Sequence, residues 1–368
     1  MNKMAFKVAL LGLAAMQAAA APMLVYFGTY TGPKSKGIYV SRFDPATGKL
    51  EAPRVAAEIA GPSWVTIHPN GKFLYAVTES GNGAVSSFSI APGTGELKLL
   101  NTVTSGGNGP CHLAITSKGT HIAVANYGSG STAVFALGAD GKIGVRTGFY
   151  QNRGTSVDKG RQEGPHAHAV VFSADDRFLT VPDLGTDEFL SFKVTGGMIE
   201  RNGGAKVKGG LGPRHFALHP GHKFAYGLNE MGSAVTAFAY DAATGAMKEL
   251  ETVSTLPADF HGSSNSAEIQ LDPKGSFVYA SNRGHDSITV FAIDQKTGKL
   301  TFVQRESTQG KTPRGFNLDP TGKWLIAGNQ DSDSVVLFKV DGTSGKLTPS
   351  GTKLTVGAPV CVQFLAQK

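Results

Sequence analysis

Pro213–Glu230 reads PRHFALHPGHKFAYGLNE: two apolar stretches of strand length, joined by a Pro-Gly turn and ending on a polar pair. The same arrangement returns as PSWVTIHPNGKFLYAVTE at Pro62–Glu79, SAEIQLDPKGSFVYASNR at Ser266–Arg283 and PRGFNLDPTGKWLIAGNQ at Pro313–Gln330. Pro110–Tyr127 and Ala167–Leu184 fit this register more loosely. An alternating strand follows each unit, as in Ala84–Ile90, Ala234–Tyr240, Ser287–Ile293 and Ser334–Val340. A Gly-centred turn and an outer strand then complete it, as in TGELKLLNTV and TGKLTFVQRE.

Each unit holds four short strands in about 50 residues, the period of propeller blades rather than of two packed domains. Six units begin and end inside the chain. The seventh is split: Met23–Val55 supplies three strands without a first, and Ala358–Phe364 is a first strand with nothing after it. Pairing the two closes the ring and removes the unpaired inner edge. The expected architecture is therefore all-β: a seven-bladed β-propeller of four antiparallel strands per blade, closed by the C-terminal strand in the N-terminal blade.

The 48 glycines and 18 prolines are spread along the chain, as many tight turns require. At the N-terminus, Lys3 and Lys7 precede the short apolar run Val8–Met16 and the small-residue stretch Gln17–Ala21. That order reads as a cleavable export signal cut after Ala20, and the apolar run falls short of the roughly 20 residues of a membrane span. Residues 1–20 are thus assigned as signal and 21–368 as one propeller, periplasmic or secreted. Removing them takes away two lysines and no acids, lowering the formal charge from +7 to +5. No long Lys/Arg run supports a nucleic-acid partner. Cys111 and Cys361 fall on inner strands of non-neighbouring blades, too far apart for a disulfide, and are expected to be thiols.

Antiparallel pairing sets the start of each inner strand beside the end of the second, at one mouth of the channel. The first set holds Ser63, Trp64, Cys111, His112, His166, His168, Arg214, His215, Glu268 and Arg314. The second holds Tyr30, Glu79, Asn126, Tyr127, Asp183, Asn229, Glu230, Asn282, Arg283, Asn329 and Gln330. Polar residues that differ from blade to blade and converge on one concavity point to a site. The recurrent Asn equally suits a strand end, where its side chain serves the nearby backbone. His166 and His168 follow a long polar insertion, Gln151–Gly164. Their spacing would suit a metal, but the surrounding arginines would repel a cation, so no metal is expected. No nucleophile elbow, nucleotide-binding glycine loop or CxxC pattern is present, and no cofactor is expected.

RQEGPHAHAV (Arg161–Val170), GPRHFALHP (Gly212–Pro220), Asn229–Glu230, Ser266–Ile288 and Thr312–Val335 together resemble the seven-bladed propeller lactonase family. That family contains bacterial 6-phosphogluconolactonases and fungal 3-carboxy-cis,cis-muconate cyclases. The resemblance implies a lactonase that hydrolyses a sugar lactone, 6-phosphoglucono-δ-lactone or an unphosphorylated aldonolactone. It implies catalytic roles for His166, Arg214, Glu230 and Arg283. His168, Glu268, Asn126 and Arg314 are assigned to substrate binding around them. The expected partner is a small-molecule lactone. A carboxymuconate-type cycloisomerase and a non-catalytic exported propeller that binds a glycan or protein are the alternatives.

Overall fold

The computed structural model describes residues 21–366, so the export-signal assignment lies outside the described residues. Six four-stranded antiparallel sheets follow the chain in order, here numbered blades 1 to 6. Blade 1 spans Val65–Thr104, blade 2 Pro110–Gln151, blade 3 Val171–Lys206, blade 4 Pro213–Ser254, blade 5 Asn265–Ser307 and blade 6 Leu318's sheet, Pro313–Thr355. Blade 7 joins the two ends of the chain: Pro359–Ala366 is its inner strand, followed by Met23–Thr29 and Gly37–Asp44. The closing register runs antiparallel from Met23↔Ala366 to Thr29↔Pro359. The outer edge of blade 7 differs from expectation: Lys49–Leu50 and Arg54–Glu58 both pair with Gly37–Asp44. Pro53, lacking an N–H for the ladder, lies between the two pieces.

Burial falls from the axis outwards. In blade 4 every residue of Phe224–Asn229 is buried, whereas the outer strand Ala246–Ser254 contains no buried residue. Middle strands are covered on both faces by neighbouring blades, so they read as continuous apolar runs rather than as an alternation. Between blades 5 and 6, for example, Tyr279, Ile288 and Val290 pack with Phe316, Leu325 and Phe338.

A repeated latch ties several blades to the next. The hydroxyls of Tyr26, Tyr75, Tyr226 and Tyr279 donate to the carbonyls of Gly95, Gly141, Gly298 and Gly345 at 2.9–3.0 Å. Trp324 Nε1 donates to Pro45 O between blades 6 and 7. The accepting glycines have φ between 73° and 81°; Gly141, Gly298 and Gly345 lie against Phe73, Phe224 and Phe277, which open the preceding blade's second strand, and Gly95 lies against Leu24 and Tyr26. The Gly-centred turn of the sequence is therefore an inter-blade contact as well as a turn.

Candidate active site at the channel mouth

The pairs Pro213↔Asn229, Pro313↔Asn329 and Asn265↔Arg283 confirm that inner-strand starts lie beside second-strand ends. One feature at these starts was not legible in the sequence. The register skips a residue after Pro110, Pro213 and Pro313, and across Ser266–Ile269, so each of these strands opens with a β-bulge. The bulges carry Cys111, Arg214, Arg314 and the Ala267–Glu268 pair, and a bulge re-aims the side chain it carries. Arg214 and Arg314 thereby line a small chamber with Tyr30, Ser63, Trp64 and His168.

Glu230, 5% exposed, is the centre of the charge cluster. Its Oε2 accepts from Arg214 Nε at 2.9 Å and Arg283 Nη2 at 3.0 Å, and its Oε1 from Arg161 Nη2 at 2.8 Å. Burial pushes this carboxyl up, but the three guanidinia outweigh it and hold it at about 2. Arg214 further donates to Ala267 O and to His215 Nε2. Burial lowers Arg283 to about 10 against the pull of Glu230. The Arg283 Nε and Nη2 also reach Asn265 O and Ser266 O, which fixes the guanidinium plane.

His166 sits where extended chain, not a formal strand, enters blade 3. The first ladder pairs there are only Val171↔Thr180 and Phe172↔Leu179, with an isolated bridge at Ala167↔Asp183. Its backbone N–H donates to Asp183 Oδ1 at 2.8 Å and its ring stacks on Tyr127 at 4.5 Å. His166 Nδ1 is 3.0 Å from Tyr127 O. A carbonyl only accepts, so Nδ1 carries the proton and the neutral ring keeps its lone pair on Nε2. That nitrogen is 3.4 Å from Glu163 Oε1.

His168 lies deeper, with Nε2 3.8 Å from Glu230 Oε2. With His112, His215 and Trp64 it forms an aromatic floor: Trp64 stacks on His112 at 4.0 Å, and His215 meets His112 and His168 edge-on. Burial, reinforced by Arg214, holds all three imidazoles neutral, well below the usual histidine range. Glu268 is behind this floor. Its Oε1 accepts from His215 Nδ1 at 3.1 Å and from Ile269 N and Gln270 Nε2, and burial raises its carboxyl to about 8 against the pull of Arg214. Arg314 lies over the Tyr30 ring, 5.3 Å to its centroid, while the Tyr30 hydroxyl donates to Glu79. Arg314 has no hydrogen-bond or ion-pair partner among the described residues.

The structure thus brings together His166, His168, Arg214, Glu230, Arg283 and Arg314, and sets Glu268 one layer behind. Asn126 is not brought to the site. It is wholly buried, and its amide donates to Ser105 O of the preceding blade's exit and to Ser131 Oγ. Asn282 and Asn329 make the equivalent bonds to Thr255 O and Thr308 O, so this recurrent Asn ties blades together. Arg161 and Glu163, both from the polar insertion, were missed as site residues; the insertion just before the histidines was the available signal. No group of three or more His, Cys, Asp or Glu suited to a metal ion occurs among the described residues. Cys111 and Cys361 are free, buried thiols in different sheets.

The family model described as "Lactonase, 7-bladed beta-propeller" matches residues 24–364. The chain is 37% identical to a 6-phosphogluconolactonase of Bacillus subtilis over 292 residues, 79% of this chain and 83% of the relative. A 6-phosphogluconolactonase of Formosa agariphila is 35% identical, covering 79% and 85%. Among solved structures, the periplasmic gluconolactonase of Pseudomonas aeruginosa superposes with a TM-score of 0.88 at 30% identity, covering 95% of this chain and all of that one. Repeat and ring closure agree with these matches: the chain belongs to the seven-bladed β-propeller lactonase family.

Proposed function

We propose that this protein hydrolyses the ring ester of a sugar δ-lactone, with His166 as the general base. The observation that carries this reading is the Nδ1 contact to Tyr127 O, which leaves Nε2 as a lone-pair acceptor at the mouth, beside an arginine cluster. Glu230, held at about 2 by its arginines, is a poor base; it orients Arg214 and Arg283 instead. Water gives a proton to His166 Nε2 as its oxygen bonds to the lactone carbonyl carbon. Arg283 Nη1, without a partner among the described residues, faces the developing oxyanion, a type of interaction worth roughly 10²–10³-fold in rate. Collapse of the adduct breaks the ring C–O bond, and the departing alkoxide recovers the proton from the imidazolium.

Charge favours an anionic lactone. Four guanidinia, Arg161, Arg214, Arg283 and Arg314, face Glu79 and Glu230, while Glu268 is drawn toward its neutral form. The uncommitted Arg314 would take the phosphoryl group of 6-phosphoglucono-δ-lactone. The export signal read at residues 1–20 and the likeness to a periplasmic gluconolactonase favour an unphosphorylated aldonolactone instead. Cleavage after Ala20 would spare every strand among the described residues, where the first begins at Met23; N-terminal sequencing of the exported protein checks it. To test the activity, both lactones are assayed with EDTA present, for the native protein and for His166→Ala and Arg314→Ala. His166→Ala should lose about 10²–10⁴-fold in kcat. Arg314→Ala should raise KM for the phosphorylated lactone only. If neither lactone opens faster than in buffer, the proposal fails.

A further inference from the structure

The polar insertion before His166 is built around one residue. Gln162 is wholly buried, its amide donating to Leu184 O and Asp187 Oδ2, each at 2.8 Å, while its Oε1 accepts from Asp158 N at 3.1 Å. Its backbone closes the loop on itself, through Gln162 N to Asp158 O and Ser156 N to Gln162 O. With Gln162 pinned, its two neighbours reach the mouth: Arg161 to Glu230, and Glu163 to His166 Nε2. The Glu163 side chain is 60% exposed, whereas that of His166 is 14% exposed. One carboxylate oxygen therefore stands 3.4 Å from the nitrogen that must accept the water proton, with the rest of the group in solvent.

Hydrolysis of a lactone must export a proton. Of the two protons of the attacking water, one ends on the ring oxygen as the new hydroxyl. The other leaves when the new carboxylic acid ionises beside the arginine cluster. It has to cross a mouth walled by Arg161, Arg214 and Arg283, which oppose a cationic carrier. Asp183 meets the His166 backbone, but both its oxygens are already taken, Oδ1 by the N–H groups of His166, Gly185 and Thr186 and Oδ2 by Asn152 Nδ2.

We infer that Glu163 is the proton exit of the site, taking the released proton from His166 Nε2 and passing it to bulk water. The product carboxyl gives its proton to Nε2. The imidazolium Nε2–H then donates to Glu163 Oε1, the proton crosses, and the ring returns to its neutral Nδ1–H form held by Tyr127 O. Glu163 passes the proton to solvent water or buffer and is again a carboxylate. No redox partner or co-reactant beyond water is needed. Glu163 acts through His166, not on the lactone, and it rests on the reading of His166 as base.

The test is Glu163→Gln in the full chain, with kcat and KM measured against buffer concentration at constant pH and ionic strength and corrected for spontaneous opening. Glu163→Gln should lose about tenfold in kcat at low buffer, with KM unchanged, and small diffusible bases such as imidazole or formate should restore it. The native protein should show no buffer dependence, and Glu163→Asp should recover part of the rate. A Glu163→Gln rate equal to native at low buffer, or lowered equally at every buffer concentration, overturns the proposal. His166→Ala in the same assay separates the two readings: if it keeps native kcat, the base assignment falls first.

Discussion

At the residue scale, two buried glutamates in and behind the mouth, Glu230 and Glu268, have opposite fates. Glu230 meets three guanidinia and is held at about 2; Glu268 meets neutral N–H donors in a dry layer and is raised to about 8. The sequence assigns Glu230 to catalysis and Glu268 to binding but does not foresee their opposite charge states, since burial and partner charge, not residue type, set these. For Glu268 the folded carboxyl titrates above its ordinary value of 4.5. Its neutral form is the one that folding favours, so this contribution is complete below about 4.5 and is lost as pH rises through about 8. Glu268→Gln removes the titration and keeps an acceptor for His215 Nδ1. The substituted protein should therefore match native thermal stability near pH 5 and exceed it near pH 9. Melting curves at the two pH values check this; an equal difference at both would mean that Glu268 does not titrate in that window.

At the element scale, the strand pattern was readable because each blade repeats one period, and so was the convergence of Arg214, Glu230 and Arg283. The bulges were not. A skipped residue after Pro213 or Pro313 leaves the apolar pattern intact while turning Arg214 and Arg314 into the channel. The insertion was equally opaque, because the approach of Arg161 and Glu163 depends on how Gln162 folds the loop rather than on any alternation. Asn126 misled for the converse reason: a polar residue repeated at one position in several blades serves the repeat. A latch glycine and a turn glycine outside the latches allow a graded test of that repeat. Gly93 and Gly298 both have φ near +70°, but a Cβ at Gly93 meets nothing within 4 Å, whereas at Gly298 it would enter the Phe224 ring. Gly93→Ala should cost only the left-handed strain, about 1–2 kcal/mol. Gly298→Ala should add overpacking of about 1–3 kcal/mol and strain the Tyr226 latch. Urea midpoints of the two proteins measure the difference; equal losses would mean that the blade interface yields.

At the scale of the whole molecule, the chain crosses every blade interface because its two ends share blade 7. The link from Thr355 to Pro359 spans blades 6 and 7, and that from Glu58 to Val65 spans blades 7 and 1. In the other blades a turn joins the inner strand to the second, as residues His68–Lys72 do between Ile67 and Phe73. Ala366 pairs with Met23, so a turn of that kind would also join these ends. A circular permutant beginning at Gly357, with Ala366 joined to Met23 by such a turn and ending at Val356, keeps every ladder pair and moves no site residue. Its kcat/KM should stay within about threefold of the native value, since the catalytic groups keep their supports. One interface, between blades 6 and 7, would then be held by non-covalent contacts alone, its packing together with the Trp324–Pro45 bond and the Lys34–Asp333 ion pair. Separation at that interface no longer requires a strand to leave its ladder, so unfolding should be faster by about tenfold or more, while the folding rate changes less. Unfolding rates in urea, measured for both proteins, decide the matter: an unchanged rate would show that packing between blades, not the shared closing sheet, sets the kinetic stability of the ring.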